Sequence, residues 1–583
     1  MTRTTTDPFT LEIVKDKLIS ISDEMFYALQ RTSKSPIIYE VLDYATGLTS
    51  PVGELLTQGN GITGFLGNLT FAVKDTLAKF DGDLYPGDII ITNDPYGGGG
   101  SHLNDVAFVM PIFCEERLVA FAANKAHWTE IGGMAPGSWN PLATEIYQEG
   151  LQLPCIKLFE RGELNQGLVD LIEANVRTPD LSIGDMWAQV SALRTGDKRM
   201  QELCEKFGVQ TVLDSMERLL DQGEEIARSA LRSMPKGVYE AEDAIDDDGS
   251  DSGPLKVRVK VEITDDAFIC DFRGNPPQVQ GPINCSYTGL VSAIRTIFVA
   301  VTNPSQNIND GVFRPIRILT DKGSIFTAER PAPVSIYWES NEYVSELIWK
   351  ALMPIASDKL TAGHFLSVCS LIVSGKHPDT DELFLLVEPS AGGWGAGQEQ
   401  DGQAGLFCIG DGETYVIPVE VAEARYGVLV EQYALRCDGG GAGAYRGGSG
   451  LVRDYRITSA QAEVSASFGR HHFLPWGFNG GHDGTGNAIQ ICRDGKWQEA
   501  TGKVGQATLK QGDIVRFLTG TGGGFGHPFD RAGDRVVSDV RNGYITVEQA
   551  ECLYGVIIGN AGSYHYTQER LNYQESRSPS ATP

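Results

Sequence analysis

Leu255-Lys256-Val257-Arg258-Val259-Lys260-Val261-Glu262-Ile263 alternates apolar and polar residues without a break. That is the pattern of a strand with one buried face and one wet face. Far upstream the texture is helical. Leu11, Val14, Leu18, Ile21, Met25 and Leu29 recur at three- and four-residue steps behind Asp7 and Pro8, which suit a helix cap and a first helical position. A second amphipathic stretch covers residues 197–232, with Met216, Leu219, Leu220, Ala227 and Leu231 on its apolar side. Residues 36–131 read as short strands cut by glycines and Asn-Asp turns, as in Asp88-Ile89-Ile90-Ile91-Thr92 before Asn93-Asp94-Pro95. Beyond residue 385 short strands and glycine turns dominate. The expected fold class is α+β: a multi-domain chain of mixed, short-stranded sheets with flanking amphipathic helices and a β-rich C-terminal half. The expected units are an α+β domain over 1–236, a central α+β domain over 237–384, a glycine-rich β domain over 385–570 and a disordered tail over 571–583.

Composition narrows the partners. The chain has 583 residues, enough for about three or four domains at roughly 150 residues each. Its 48 Lys and Arg against 76 Asp and Glu leave a net charge of −28, which repels phosphate backbones and anionic lipid and argues against nucleic-acid or membrane binding. None of the 10 cysteines forms a Cys-x-x-Cys pair, so free thiols in a reducing compartment are expected. The N-terminus lacks an apolar signal core, and the apolar run over 290–301 is interrupted by Arg295. A cytoplasmic protein is expected. Glycines cluster at 97–100, 439–441 and 522–524, but no G-x-x-x-x-G-K-[ST] occurs, so tight turns and close backbone packing explain them better than a nucleotide loop. The acidic run over 246–251 reads as a solvated hairpin loop, and Val257 at the twelfth position speaks against calcium.

One segment carries chemistry. Gly97-Gly98-Gly99-Gly100-Ser101-His102-Leu103-Asn104-Asp105 delivers a histidine and an aspartate three residues apart, which a single helical turn would place on one face. His127 follows the apolar run Leu118-Val119-Ala120-Phe121-Ala122-Ala123. If that strand pairs near the loop, two imidazoles and a carboxylate converge, a set that suits Zn, Mn or Fe(II). The competing reading is that these histidines satisfy backbone groups at strand ends. Glu40 and Asp43, three apart in the apolar stretch 37–43, would face opposite sides of a strand and make no obvious acid–base couple. His471-His472 reads as a loop pair, and no G-x-S-x-G elbow is present.

Taken in order, several segments resemble the hydantoinase B family, which includes acetone carboxylase alpha subunits and the C-terminal half of ATP-dependent 5-oxoprolinases. They are Ser35-Pro36-Ile37-Ile38 with Glu40 and Asp43, Asn93-Asp94-Pro95-Tyr96 leading into the His102–Asp105 loop, Ala126-His127-Trp128-Thr129-Glu130-Ile131-Gly132-Gly133, Gln280-Gly281-Pro282-Ile283-Asn284, Asn309-Asp310-Gly311-Val312-Phe313-Arg314-Pro315, Gly392-Gly393-Trp394-Gly395-Ala396, Gly440-Gly441-Ala442-Gly443-Ala444-Tyr445-Arg446-Gly447-Gly448 and Gly522-Gly523-Gly524-Phe525-Gly526-His527-Pro528. The resemblance implies a divalent metal (Zn, Mn or Fe) on His102, Asp105 and His127. It also implies a hydantoinase A-like partner that carries ATP and Mg, in a heterotetramer or larger complex. The implied activity is ATP-dependent hydrolysis of a cyclic amide such as a hydantoin, oxoproline or other lactam, with Glu40, Asp43 or Glu130 as base or orienting group. An ATP-dependent ketone carboxylase of acetone or acetophenone type is the alternative, and a scaffold subunit with a vestigial metal site a third.

Overall fold

A computed structural model describes residues 7–59, 61–250, 252–302 and 308–577. The architecture is α+β, with several small sheets and flanking helices. Helix Pro8–Thr32 begins where Asp7 accepts hydrogen bonds from the backbone N–H groups of Phe9 and Thr10, at 3.0 and 3.1 Å. It buries all six residues of the predicted stripe, with Ser22 and Phe26 beside them. That face packs on helix Pro179–Phe207.

Both helices lie on a seven-stranded antiparallel sheet. Its strands run in the order Leu55–Gln58, Tyr44–Thr49, Arg117–His127, Asp105–Cys114, Ile89–Thr92, Ile156–Glu160, Glu163–Leu164. Period-two alternation splits the central pair between two cores. Val106, Phe108, Met110 and Ala122 join the main core on the side of the long helices, while Ala107, Val109, Phe121 and Ala123 pack with Leu69, Ala72 and Val73 of helix Leu69–Lys79.

The strand over Leu255–Ile263 alternates as its sequence demands: Val257, Val259, Val261 and Ile263 are buried and Lys256, Arg258 and Lys260 exposed. It lies in a four-stranded sheet between Phe268–Asp271 and Gly237–Ile245, with Ile316–Leu319 at the edge. Helix Trp338–Leu352 covers that sheet and is itself covered by helix Tyr287–Thr302. The C-terminal half holds a four-stranded and a five-stranded sheet. Its glycine clusters bring backbones into contact, as expected: a Cβ on Gly447 would lie 1.9 Å from the carbonyl oxygen of Gly522.

Five expectations change. Residues 37–43 are not a strand, because Pro36–Tyr39 forms a helical turn started by Pro36 and followed by a bend into Tyr44–Thr49. The stretch over 197–232 is divided by Gly208, whose φ of +83° ends helix Pro179–Phe207 before Val209–Ser233 begins. Over residues 246–250 the acidic run is a structural tie rather than a solvated loop, and Asp251 lies outside the described residues. Asp246 accepts from the N–H groups of His471, His472 and Phe473, and Asp248 from that of Gly281. Residues 384 and 385, on either side of the expected boundary, both lie in strand Leu383–Glu388, which pairs with Ser370–Lys376. In the expected tail, residues 571–577 continue helix Gln568–Arg577, anchored where buried Arg570 donates to the carbonyl oxygens of Tyr554 and Arg531. Residues 578–583 lie outside the described residues.

Candidate functional site

Strand register builds the site. Asp105 opens strand Asp105–Cys114 directly opposite His127, the last residue of Arg117–His127. On the other side of that strand Tyr44 pairs with Ala126, and the His127 N–H donates to the Asp43 carbonyl oxygen at 3.0 Å. Three adjacent strand ends therefore present Asp43, His127 and Asp105 in one row. His102 arrives from the glycine loop through a turn in which the Asp105 N–H donates to the His102 carbonyl. Its Nε2 lies 3.3 Å from Asp105 Oδ1, and its ring centre 5.0 Å from that of His127.

These four side chains line a cavity with about 40 Å³ open to the centres of water molecules. Polar parts of the wall come from elsewhere in the chain, Tyr337 beside helix Trp338–Leu352, then Trp338, Asn341 and Glu342 on it, and Gly410 and Asp411 from the turn Ile409–Asp411, while Ile37, Ile62, Phe65, Val368 and Val387 add apolar surface. Neither Glu40 nor Glu130 reaches it. Glu40 closes the turn after Pro36. Glu130 is fully buried, but its oxygens accept from the N–H groups of Gly132 and Gly137 and from Arg177, so it shapes its own loop.

Sequence reasoning missed Lys125. It precedes His127 by two residues on the same strand and so shares its face. Its buried ammonium sits 3.4 Å from Asp105 Oδ2, donates to Gly99 O and Ser101 Oγ, and lies 4.1 Å from the centre of the Phe65 ring. Burial raises the Asp105 carboxyl, but Lys125 and then His102 outweigh it and hold it well below the ordinary range. Burial, reinforced by His102, drops His127 to about 3, so its imidazole is neutral and free to act as a ligand. Asp43 is pushed well up by burial and then by the charges of Asp105 and Asp411, and Asp411 itself reaches about 7 through burial and Asp105.

Two imidazoles and a carboxylate are of the donor types that bind divalent cations. His102 Nδ1 lies 3.1 Å from the Ser335 carbonyl oxygen. With Nδ1 donating there, Nε2 faces Asp105 Oδ1 at 3.3 Å. Both Asp105 carboxylate oxygens and His127 Nδ1 are buried without a hydrogen-bond partner. Such a cluster calls for a shared proton or a metal ion. Among the described residues no three His, Cys, Asp or Glu side chains enclose a common point, so the donors line the cavity without yet forming a cage. No described helix is long and apolar enough to cross a membrane.

Known proteins share this arrangement of chain. A family model described as hydantoinase B/oxoprolinase matches residues 7–528. The B component of a putative D-/L-hydantoinase from Pseudomonas sp. strain NS671 is 31% identical over 586 residues, covering 96% of this chain and 97% of that protein. The caprolactamase beta chain of Pseudomonas jessenii is 31% identical over 577 residues, covering 96% and 97%. The crystal structure of ATP-dependent caprolactamase from that organism has a TM-score of 0.91 at 28% identity and covers 98% of this chain and 100% of its own. A nucleotide-free acetone carboxylase structure has a TM-score of 0.90 at 19% identity, covering 99% and 84%, a likeness of fold alone.

Proposed function

The chain belongs to the hydantoinase B/oxoprolinase family, and on that premise we propose that it is the metal-bearing catalytic subunit of an ATP-dependent cyclic-amide hydrolase. The observation that carries this reading is the Asp43–His127–Asp105 row with His102 turned onto it. His102, Asp105 and His127 would hold a divalent ion, with the Asp43 carboxylate adjoining. Such an ion supplies Lewis acidity toward a carbonyl oxygen or a water.

The chain's own groups do the rest. Ser335 O fixes the His102 tautomer, and Lys125 keeps Asp105 ionised and in place. Asp411, with an affinity for protons near neutrality, can take and return one during ring opening. Asp43 remains the second acidic candidate for that task, and Glu40 and Glu130 drop out by position. A ring amide resists attack because its nitrogen donates into the carbonyl. Phosphoryl transfer from ATP on a hydantoinase A-like partner with Mg would remove that resistance, and the relatives' names, each that of one component among several, support a heteromeric complex. The carboxylase alternative draws only on fold likeness, whereas relatives at 31% identity are named for cyclic-amide substrates.

The test is a substrate panel on the complex of this chain with its partner. ATP-dependent loss of hydantoins or lactams is expected, with no bicarbonate requirement. Bicarbonate-dependent loss of acetone or acetophenone, with lactams untouched, would replace the hydrolase reading by the carboxylase one.

A further inference from the structure

His102 takes its orientation from a stretch of chain with no regular structure of its own. Residues 332–334 are irregular and lead through a turn into helix Trp338–Leu352. The stretch brings the Ser335 carbonyl oxygen to 3.1 Å from His102 Nδ1 and the Tyr337 and Trp338 side chains to the cavity wall. A carbonyl oxygen only accepts, so the His102 contact is a hydrogen bond only when Nδ1 carries a proton. The place of that carbonyl therefore decides how the imidazole is turned and which nitrogen faces Asp105.

Glu149 holds the stretch at that point. It is 1% exposed, and its Oε1 accepts from the N–H groups of Val334 and Ser335 at 2.9 and 2.8 Å. Other groups grip the stretch on either side. The Tyr96 hydroxyl donates to Ala332 O, the Ile146 N–H to Pro331 O, the Asn284 amide to Pro333 O, and the Ile336 N–H to Pro282 O. Among the described residues only Glu149 and His102 reach in from outside to bond Val334 or Ser335. Burial lifts the Glu149 carboxyl to about 8 against the pull of the Ser335 and Val334 N–H groups. Its Oε1 accepts in either protonation state, so the tie survives the proton.

The seat of Glu149 is fixed by the loop that leaves the other histidine. Six residues after His127, Gly133 has φ of +91°, and a Cβ there would lie 2.7 Å from the Glu149 carbonyl carbon. The Met134 N–H donates to Gln148 O and the Leu151 N–H to Ile131 O, at 2.7 and 2.8 Å. One side chain thus links the chain leaving His127 to the carbonyl that turns His102.

We propose that Glu149 is a positioning residue: from the loop after His127 it holds Ser335, and through the Ser335 carbonyl it sets the His102 ring against Asp105 and His127. The use of that positioning rests on the metal reading of the row; the ring orientation does not.

Two readouts on the full chain test it, with circular dichroism as the folding control. In metal-free protein labelled with 15N-histidine, the His102 Nδ1–H should give a slowly exchanging resonance, assigned by its loss in His102→Gln. Glu149→Ala should lose this resonance to exchange, while Glu149→Gln, which keeps the acceptor, should retain it. Competition with a chromophoric chelator should show Zn and Mn binding weakened about 10–100-fold in Glu149→Ala and by less than about threefold in Glu149→Gln. Glu149→Asp draws the acceptor back by one methylene and should fall between the two, which preserves the test if the alanine variant does not fold. Absence of the resonance in wild type, a resonance unmoved in folded Glu149→Ala or Glu149→Asp, or equal losses in the alanine and glutamine variants overturns the proposal. So does metal binding that is present in wild type and unchanged in those variants. A wild type that binds neither metal would sink the metal reading instead, and the His102 resonance would decide this proposal alone.

Discussion

Asp105→Asn is expected to lower product formation by at least about a hundredfold while ATP turnover on the partner persists. Loss of a group that merely orients a metal ligand costs roughly 10–100-fold, and Asp105 is proposed as the ligand itself. A neutral amide is a much poorer partner for a divalent ion than a carboxylate. Lys125 complicates the variant, because its buried ammonium loses its charge partner. Removing one member of a buried pair costs about 3–5 kcal/mol, softened here because Lys125 keeps Gly99 O and Ser101 Oγ as acceptors. The double variant Asp105→Asn/Lys125→Met takes away both charges and should regain stability without regaining activity. Product and phosphate release are measured side by side, with circular dichroism as the folding control. Wild-type product formation in either variant would make the row a structural ion pair.

Arg470→Met should give the largest loss of stability, about 3–5 kcal/mol. Arg470 is 1% exposed and bridges the Asp243 carboxylate on strand Gly237–Ile245 to Glu346 on helix Trp338–Leu352, with three contacts of 3.0 Å. The variant leaves two buried carboxylates facing the same space. Burial raises both. For Asp243 it is outweighed by Arg470 and Lys350, and for Glu346 by His364 and then Arg470, so both sit below their ordinary values in the fold. Their contribution is therefore full above the ordinary carboxylate range and is lost as pH falls through the lowered values. Urea unfolding at pH 7 and at pH 3 should show a gap between wild type and variant that narrows in acid. A variant within 1 kcal/mol of wild type at pH 7 would show that the bridge contributes little, and Arg470→Met/Asp243→Asn should recover part of any loss.

What the sequence showed, and what it hid, follows from the range of each signal. The first helix and the strand over Leu255–Ile263 carry their own period, so their buried faces were legible residue by residue. The stretch 37–43 is a short apolar run, which periodicity does not assign, and Pro36 turned it into a helical turn. His102 and Asp105 were readable as a spacing, and His127 as a strand end. Lys125 was readable in principle from the two-residue repeat, once the strand was known to end at His127. Trp338, Glu342 and Asp411 had no such signal. They stand more than 200 residues from His127 and meet it only because the sheets pack as they do. Asp246 in the acidic run misled for a related reason: its partners are the backbone N–H groups of His471, His472 and Phe473, over 200 residues away.

The proposed chemistry depends on a metal ion at the row of strand ends. Elemental analysis of the protein purified without chelator, wild type beside His127→Ala, measures this directly. About one Zn, Mn or Fe per chain is predicted in the wild type, falling sharply in the variant at matched folding. Equal metal content in the two proteins, or none in the wild type after supplementation with each metal, would contradict it.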